Sequence, residues 1–216
     1  MTTSRSPFRF EGGIDFGAIE DGTSNTIAMS EKLVAVSGST DYRRNVIRST
    51  PGEYPLTGTF NGNAAGNPSV CSATRDSGSA YRTPYTPHRF ALGDSEQHFE
   101  HVVGHFFPAA KLAGFMTVNP PNHPFCSART NADWSIGDAL YIMAPTSAHT
   151  GGVSVLLFDG AVRFVTETID CGNQYAPVYQ SGTVINTAEG GRSSTPSSYG
   201  VWGALGTVNC GESATL

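Results

Sequence analysis

The chain has 216 residues, enough for one domain with a real core or at most two small ones. Only 14% of residues are charged, with 13 Lys and Arg against 18 Asp and Glu for a net charge of −5, which excludes the clustered cations of a nucleic-acid footprint. The 25 glycines and 13 prolines argue against a helical bundle and suit short strands joined by many turns.

The opening "MTTSRSPFRF" has no charged stretch followed by an apolar one, so the chain carries no export signal of its own. No run approaches the ~20 apolar residues of a membrane-spanning helix. Residues 1–20 read as an irregular lead-in. "EDGTSNTIAMSEKLVAV" then gives a turn at Asp21-Gly22 and a strand or short helix over 26–36. Residues 37–95 are loop-rich, punctuated by Pro51, Pro55, Pro68, Pro84 and Pro87, as in functional surfaces or excursions pinned by a cross-link. "SEQHFEHVVGHF" (95–106) is the expected amphipathic helix, because Phe99, Val102, Val103 and Phe106 recur at helical spacing. "MTVNPPNHPFC" (116–126) is extended and interrupted by a double proline. A hairpin follows within 149–170, then a Ser/Gly-rich loop (180–199) and a short apolar segment, "YGVWGALGTV" (199–208). No internal repeat or domain boundary is visible, so 1–216 reads as a single domain.

The hairpin is the most patterned stretch. Asp159 and Gly160 sit between two β-rich runs, and a two-residue type I′ turn there needs positive φ at both positions. That turn sets Leu157 opposite Val162 and Val155 opposite Phe164. One face then carries Val153, Val155, Leu157, Val162 and Phe164 as a core stripe. At ~3.3 Å per residue, the strand separates His149 from Asp159 by about 30 Å, too far for a catalytic pair. The same register brings His149 level with Asp170, which makes His149–Asp170 the contact to look for.

Four cysteines, Cys71, Cys126, Cys171 and Cys210, have no metal-like spacing. They are either buried thiols or two disulfides of an oxidising compartment. Three pairings are open. Cys71–Cys126 with Cys171–Cys210 is favoured, because each bond would close a long Gly-rich loop.

Other residues suggest chemistry. Asp21, Thr23 and Asn25 alternate as in a calcium loop, although a calcium-binding EF-hand needs Glu where Lys32 stands, and an Asx-type turn explains the same residues. Ca2+ is the cofactor these three residues suggest. His98, His101 and His105 could share one helix face and hold a transition metal such as Zn2+, with His123 as a further ligand. No HExxH is present, so a solvated helix with stray histidines is the simpler reading. "FALGDSEQ" (90–97) resembles the nucleophile block of GDSL-type hydrolases, with Ser95 as nucleophile. It lacks the Asp-x-x-His partner of that family, and no G-x-S-x-G elbow occurs.

A broader resemblance spans much of the chain. His149, nine intervening residues and Asp159-Gly160 resemble the H-X9-DG signature of DUF1559, a bacterial family whose members carry a prepilin-type N-terminal segment. "EDGTSNTIAMSE" (20–31), "TVNPPNHPFC" (117–126) and "GVWGALGTVNCGE" (200–212) are similar to further stretches of that family, in the same order. The resemblance implies a type IV pilin-like or pseudopilin-like subunit. Its fold would be α+β: an antiparallel sheet head with long irregular loops and one or two short helices. It also implies an extracytoplasmic place, at the cell surface or in the periplasm, and partners that are other pilin-like subunits or further copies of this chain. Beside such relatives the chain reads as truncated, without the apolar N-terminal helix and part of the head.

Two functions follow as expectations. One is a non-enzymatic structural or interaction subunit. The other is a small hydrolase of ester or lactone bonds, assisted by Ca2+ or Zn2+, with catalytic candidates Ser95, His149 and Asp170.

Overall fold

A computed structural model of the chain describes residues 15–34, 41–44, 46–49, 68–75, 85–87, 114–127, 141–176, 179–180, 183–184, 196–212, 214 and 216. The expected helix over 95–106, and with it Ser95, His98, His101 and His105, lies outside these residues. In chain order the strands are β1 (Ile27–Ser30), β2 (Val46–Ser49), β3 (Tyr85–Pro87), β4 (Phe125–Ser127), β5 (Tyr141–Ile142), β6 (Gly152–Leu157), β7 (Val162–Thr166), β8 (Tyr179–Gln180) and β9 (Thr183–Val184). The helices are α1 (Pro68–Ser72) and α2 (Gly200–Ala204).

The strands form three sheets. An antiparallel sheet runs β1-β6-β7, a second runs β3-β2-β4-β5, and β8 pairs with β9 alone. In the second sheet β2 and β4 are parallel and the other pairs antiparallel. The three-stranded antiparallel sheet and the short helices fit the expected α+β class. None of the helices among the described residues is long and apolar enough to cross a membrane.

The core lies between the three-stranded sheet and α2. Ile27 from β1, Val153, Val155 and Leu157 from β6, and Val165 from β7 pack with Trp202, Ala204 and Leu205. Burying a side chain as large as Trp202 or Leu205 contributes roughly 2–3 kcal/mol each before entropy. The apolar run "YGVWGALGTV" is therefore helical at its centre, because a short helix turns Trp202 and Leu205 onto the sheet together. Trp202 Nε1 donates to the Asn119 carbonyl at 2.8 Å, so the buried indole has no lost hydrogen bond. Asp170 prepares the first turn of α2: its carbonyl accepts from Trp202 N at 2.9 Å and its Oδ2 from Val201 N at 3.4 Å. Gly200 passes so close that an added Cβ would stand 2.5 Å from Asp170 Oδ2, and its φ of +59° suits glycine.

The hairpin differs from the expected one by a single residue. Leu156, not Leu157, faces Val162; Ser154 faces Phe164, and Val153 faces Val165. Phe158, Asp159 and Gly160 form a three-residue loop. Leu157 N donates to the Ala161 carbonyl at 2.9 Å, and Gly160 N returns to the Leu157 carbonyl at 3.0 Å with Gly160 at φ +88°. This is a type I-like turn closed by a left-handed glycine, in place of a two-residue I′ turn. Asp159 Oδ1 accepts from Ala161 N at 2.9 Å and holds the bend. Because side chains alternate with a period of two, the shift turns β7 over. Val165 goes into the core, while Val162 and Phe164 are 63% and 52% exposed on the outer face.

The cysteines divide in two. Cys71 and Cys126 are bonded, which ties α1 to β4 across 55 residues. The expected Cys171–Cys210 bridge is not formed; both residues are buried. Cys171 follows Asp170 beside the first turn of α2, whereas Cys210 lies past its far end, where its N–H is bonded to Asp21. The five-residue α2 and the loop after it stand between these two places.

Candidate functional site

The stretch 20–31 begins with a buried carboxylate. Asp21 Oδ1 accepts from Gly211 N at 2.8 Å and Glu212 N at 3.3 Å, and Oδ2 from Cys210 N at 3.0 Å and Thr207 Oγ1 at 3.1 Å. Its own N–H donates to the Val208 carbonyl at 3.0 Å. The single Thr207 hydroxyl proton goes to Asp21, to the Ala204 carbonyl at 2.9 Å or to Glu212 Oε2 at 3.1 Å. Three backbone N–H groups converge on the Asp21 side chain, which is how a backbone cradles an anion. A cation at these oxygens would have to displace them. Asn25 Nδ2 donates to the Asp21 carbonyl at 3.1 Å, and Thr23 offers its carbonyl to Asp159 N at 3.1 Å. The alternation Asp21, Thr23, Asn25 thus serves a turn that is bonded to two other loops. Among the described residues no three His, Cys, Asp or Glu side chains gather as a metal site.

From this turn the chain runs directly into the sheet. Thr26 Oγ1, fully buried, donates to the Gly22 carbonyl at 3.1 Å or the Thr207 carbonyl at 3.3 Å. Ile27 N reaches the Leu205 carbonyl at 2.8 Å, and the Thr26 carbonyl accepts from Phe158 N at 3.0 Å. One end of the sheet is therefore a junction of the turn at 21–26, the hairpin tip at 158–160 and the loop at 205–212.

The other end of β1 carries a second carboxylate. Glu31 Oε1 lies 3.3 Å from His149 Nε2, and Oε2 accepts from Ser154 N at 3.2 Å. Partial burial alone would raise the Glu31 pKa. Hydrogen bonds from Ser147 and Ser154 and the charge of His149 outweigh it and hold the carboxyl below its ordinary value. His149 N is bonded to Ser147 Oγ at 3.0 Å, and Ser147 N to Asn122 Oδ1 at 2.7 Å. Asn122, at φ +60°, also donates from Nδ2 to Glu167 Oε1 at 2.8 Å or the Gly152 carbonyl at 3.2 Å. Arg43 forks onto Asp41 and donates to the Ser147 carbonyl at 3.1 Å. A buried asparagine and a half-exposed contact between the Glu31 carboxylate and the His149 imidazole thus fix the loop that precedes β6.

One inner pair, Ser72 with His123, has the residue types of catalysis without its electrostatics. Ser72 Oγ and His123 Nδ1 are 3.0 Å apart beside the disulfide. Burial, and then the charge of Arg75, lower the His123 pKa to about 3, so its ring is neutral and a poor proton acceptor at neutral pH. Lys32 Nζ donates to the Ala144 carbonyl at 2.8 Å and stands 5.5 Å above the Phe125 ring. Burial brings its pKa down to about 7. Burial also pushes the Cys171 thiol up to about 12, with Asp170 adding to the shift, which keeps it protonated and unreactive.

His149 and Asp170 are not partners: His149 meets Glu31, and Asp170 caps α2 and accepts from Gly172 N at 2.9 Å. Glu31, Asn122, Ser72 and Lys32 were not singled out by the sequence as functional. Glu31 and Asn122 carried a usable hint, as members of the stretches 20–31 and 117–126.

A family model described as a protein of unknown function (DUF1559) matches residues 1–172. The chain belongs to the DUF1559 family. No curated protein and no solved structure matches it. The DUF1559 match contains three of the four stretches quoted above and ends before "GVWGALGTVNCGE". In this DUF1559 member that last stretch is bonded to the first through Asp21, Ile27 and Thr26.

Proposed function

We propose that this chain is an extracytoplasmic structural or interaction subunit of pilin-like type, without catalytic activity. The observation that carries the reading is what the four stretches do with their polar groups. Most of them bond one another or a neighbouring loop: Asp21 to 207–212, Thr23 to Asp159, the Asn119 carbonyl to Trp202, Asn122 to Ser147, and Glu31 to His149. The Asn119 amide and Asn209 Oδ1 are buried without a hydrogen-bond partner among the described residues. Residues used in this way hold loops in register and do not leave reactive atoms converging on a substrate. The Cys71–Cys126 bond supports an oxidising compartment.

Fractionation of the native host with thiol labelling tests this reading. The expected result is recovery in the cell-surface or periplasmic fraction, with two labelled cysteines per denatured chain, Cys171 and Cys210. Recovery in the cytoplasm with four labelled cysteines would overturn it.

The hydrolase reading keeps one specific contact, Ser72 with His123. Its measurement is turnover of a simple aryl ester by wild type and by the Ser72→Ala variant. Equal, background rates leave that pair a structural role, and loss of a real rate in the variant would establish an enzyme.

A further inference from the structure

We propose that the open edge of β7 pairs with β7 of a second copy of this chain, antiparallel about a two-fold axis at Phe164. This deepens the interaction-subunit reading and rests on it.

The phase of the β6–β7 ladder fixes which backbone groups are available. Leu157 N donates to the Ala161 carbonyl and Glu167 N to the Gly151 carbonyl. Bonded pairs alternate along an antiparallel ladder, so Ala161, Arg163, Val165 and Glu167 turn their backbone groups toward β6. Val162, Phe164 and Thr166 turn theirs the other way. Among the described residues no strand pairs with β7 on that side. Among the described residues the Val162 carbonyl accepts from the neighbouring Arg163 guanidinium, at 3.3 Å. An edge of this kind is a template for another strand.

The same residues carry apolar surface. Val162 and Phe164 project from the outer face, next to Leu156 and the exposed Met29 in one cross-strand row. An antiparallel sheet facing water should be polar there. Pairing at this edge satisfies the open backbone groups and buries the Phe164 ring, the apolar side chain next to the seam, against its own copy.

The occupant follows from the sequence of the edge. An antiparallel pair centred on Phe164 sets Phe164 against its own copy and Val162 against Thr166, so every outward backbone group meets a complementary one. The charges agree as well. Arg163 stands opposite Val165 of the copy, and Glu167 of the copy is the next residue on that face. Two three-stranded sheets become one of six strands, in which the row of Met29, Leu156 and Val162 meets Thr166 of the copy and the two Phe164 rings face each other at the axis.

Analytical ultracentrifugation of the whole chain tests the pairing. Wild type is expected at twice the chain mass. Phe164→Pro removes an outward N–H without touching the β6 ladder, and it should give a monomer with an unchanged far-UV spectrum. As a second reading, a Phe164→Cys variant should cross-link to a dimer under mild oxidation, whereas Tyr175→Cys, more exposed but elsewhere, should not. A monomeric wild type, or a dimer that survives Phe164→Pro unchanged and does not cross-link through position 164, would overturn the proposal. Neither result bears on the interaction-subunit reading, which export and turnover decide separately.

Discussion

Two carboxylates ten residues apart mark the two ends of β1, and they are held in opposite ways. Asp21 is buried and receives three backbone N–H groups from 210–212. Glu31 is half-exposed and shares its charge with the still more exposed His149. The first closes a loop that local sequence alone could not hold. The second trims a loop already fixed by Asn122 and Ser147. A carboxylate that satisfies backbone donors therefore contributes far more than one that satisfies a charge in water.

The strongest way to break this contrast is Asp21→Ala. It strands several buried donors and should cost about 3 kcal/mol or more, read from urea unfolding. The C-terminal loop should also lose hydrogen-exchange protection at Cys210, Gly211 and Glu212. In wild type, added Ca2+ should leave the melting temperature unchanged, because the Asp21 oxygens already face donors. A clear rise that Asp21→Ala abolishes would return calcium to this turn.

Lys32, one residue beyond Glu31, supplies the opposite sign. Its pKa is lowered to about 7 by burial, below its unfolded value. The unfolded state then binds more protons between the two values, so stability rises with pH from about 7 to about 10. Lys32→Met should therefore stabilise the fold by about 1 kcal/mol at pH 6, a gain that fades above pH 10. Urea midpoints measured at the two pH values check it, and a loss of stability at pH 6 would show that the Ala144 bond and the Phe125 ring outweigh the buried charge.

The contrast also explains what could be read in advance. The β6 stripe of Val153, Val155 and Leu157 was legible because period-two alternation depends on local sequence alone. The facing strand was not, because register depends on whether the turn holds two residues or three, and "DG" permits both. Asp21 was legible as a turn residue. Its donors were not, since residues 207–212 lie nearly 190 positions away. The bond Cys71–Cys126 followed from loop closure, while Cys171–Cys210 failed on the placement of α2, which nothing in the cysteine spacing encodes. His149 was correctly separated from Asp159, but Glu31, brought alongside by the β1–β6 pairing, took the place expected for Asp170.

Glu31→Gln gives the smallest effect and the sharpest test of the contrast. The amide keeps an acceptor for Ser154 N and removes only the charge facing His149. Because the Glu31 pKa is held below its unfolded value, the stabilisation is present at neutral pH and is lost as the pH falls through the folded value. Solvent screening of this exposed pair limits it to about 0.5 kcal/mol. Wild type and variant should thus differ slightly at pH 7, converge in acid, and also converge at neutral pH as salt is raised. Asp21→Ala should show neither convergence with salt nor a small amplitude, since its donors are buried backbone groups. If Glu31→Gln instead cost as much as Asp21→Ala at every salt concentration, the pair with His149 would be a structural lock of the same kind as the cradle, and the two ends of β1 would be held by one principle.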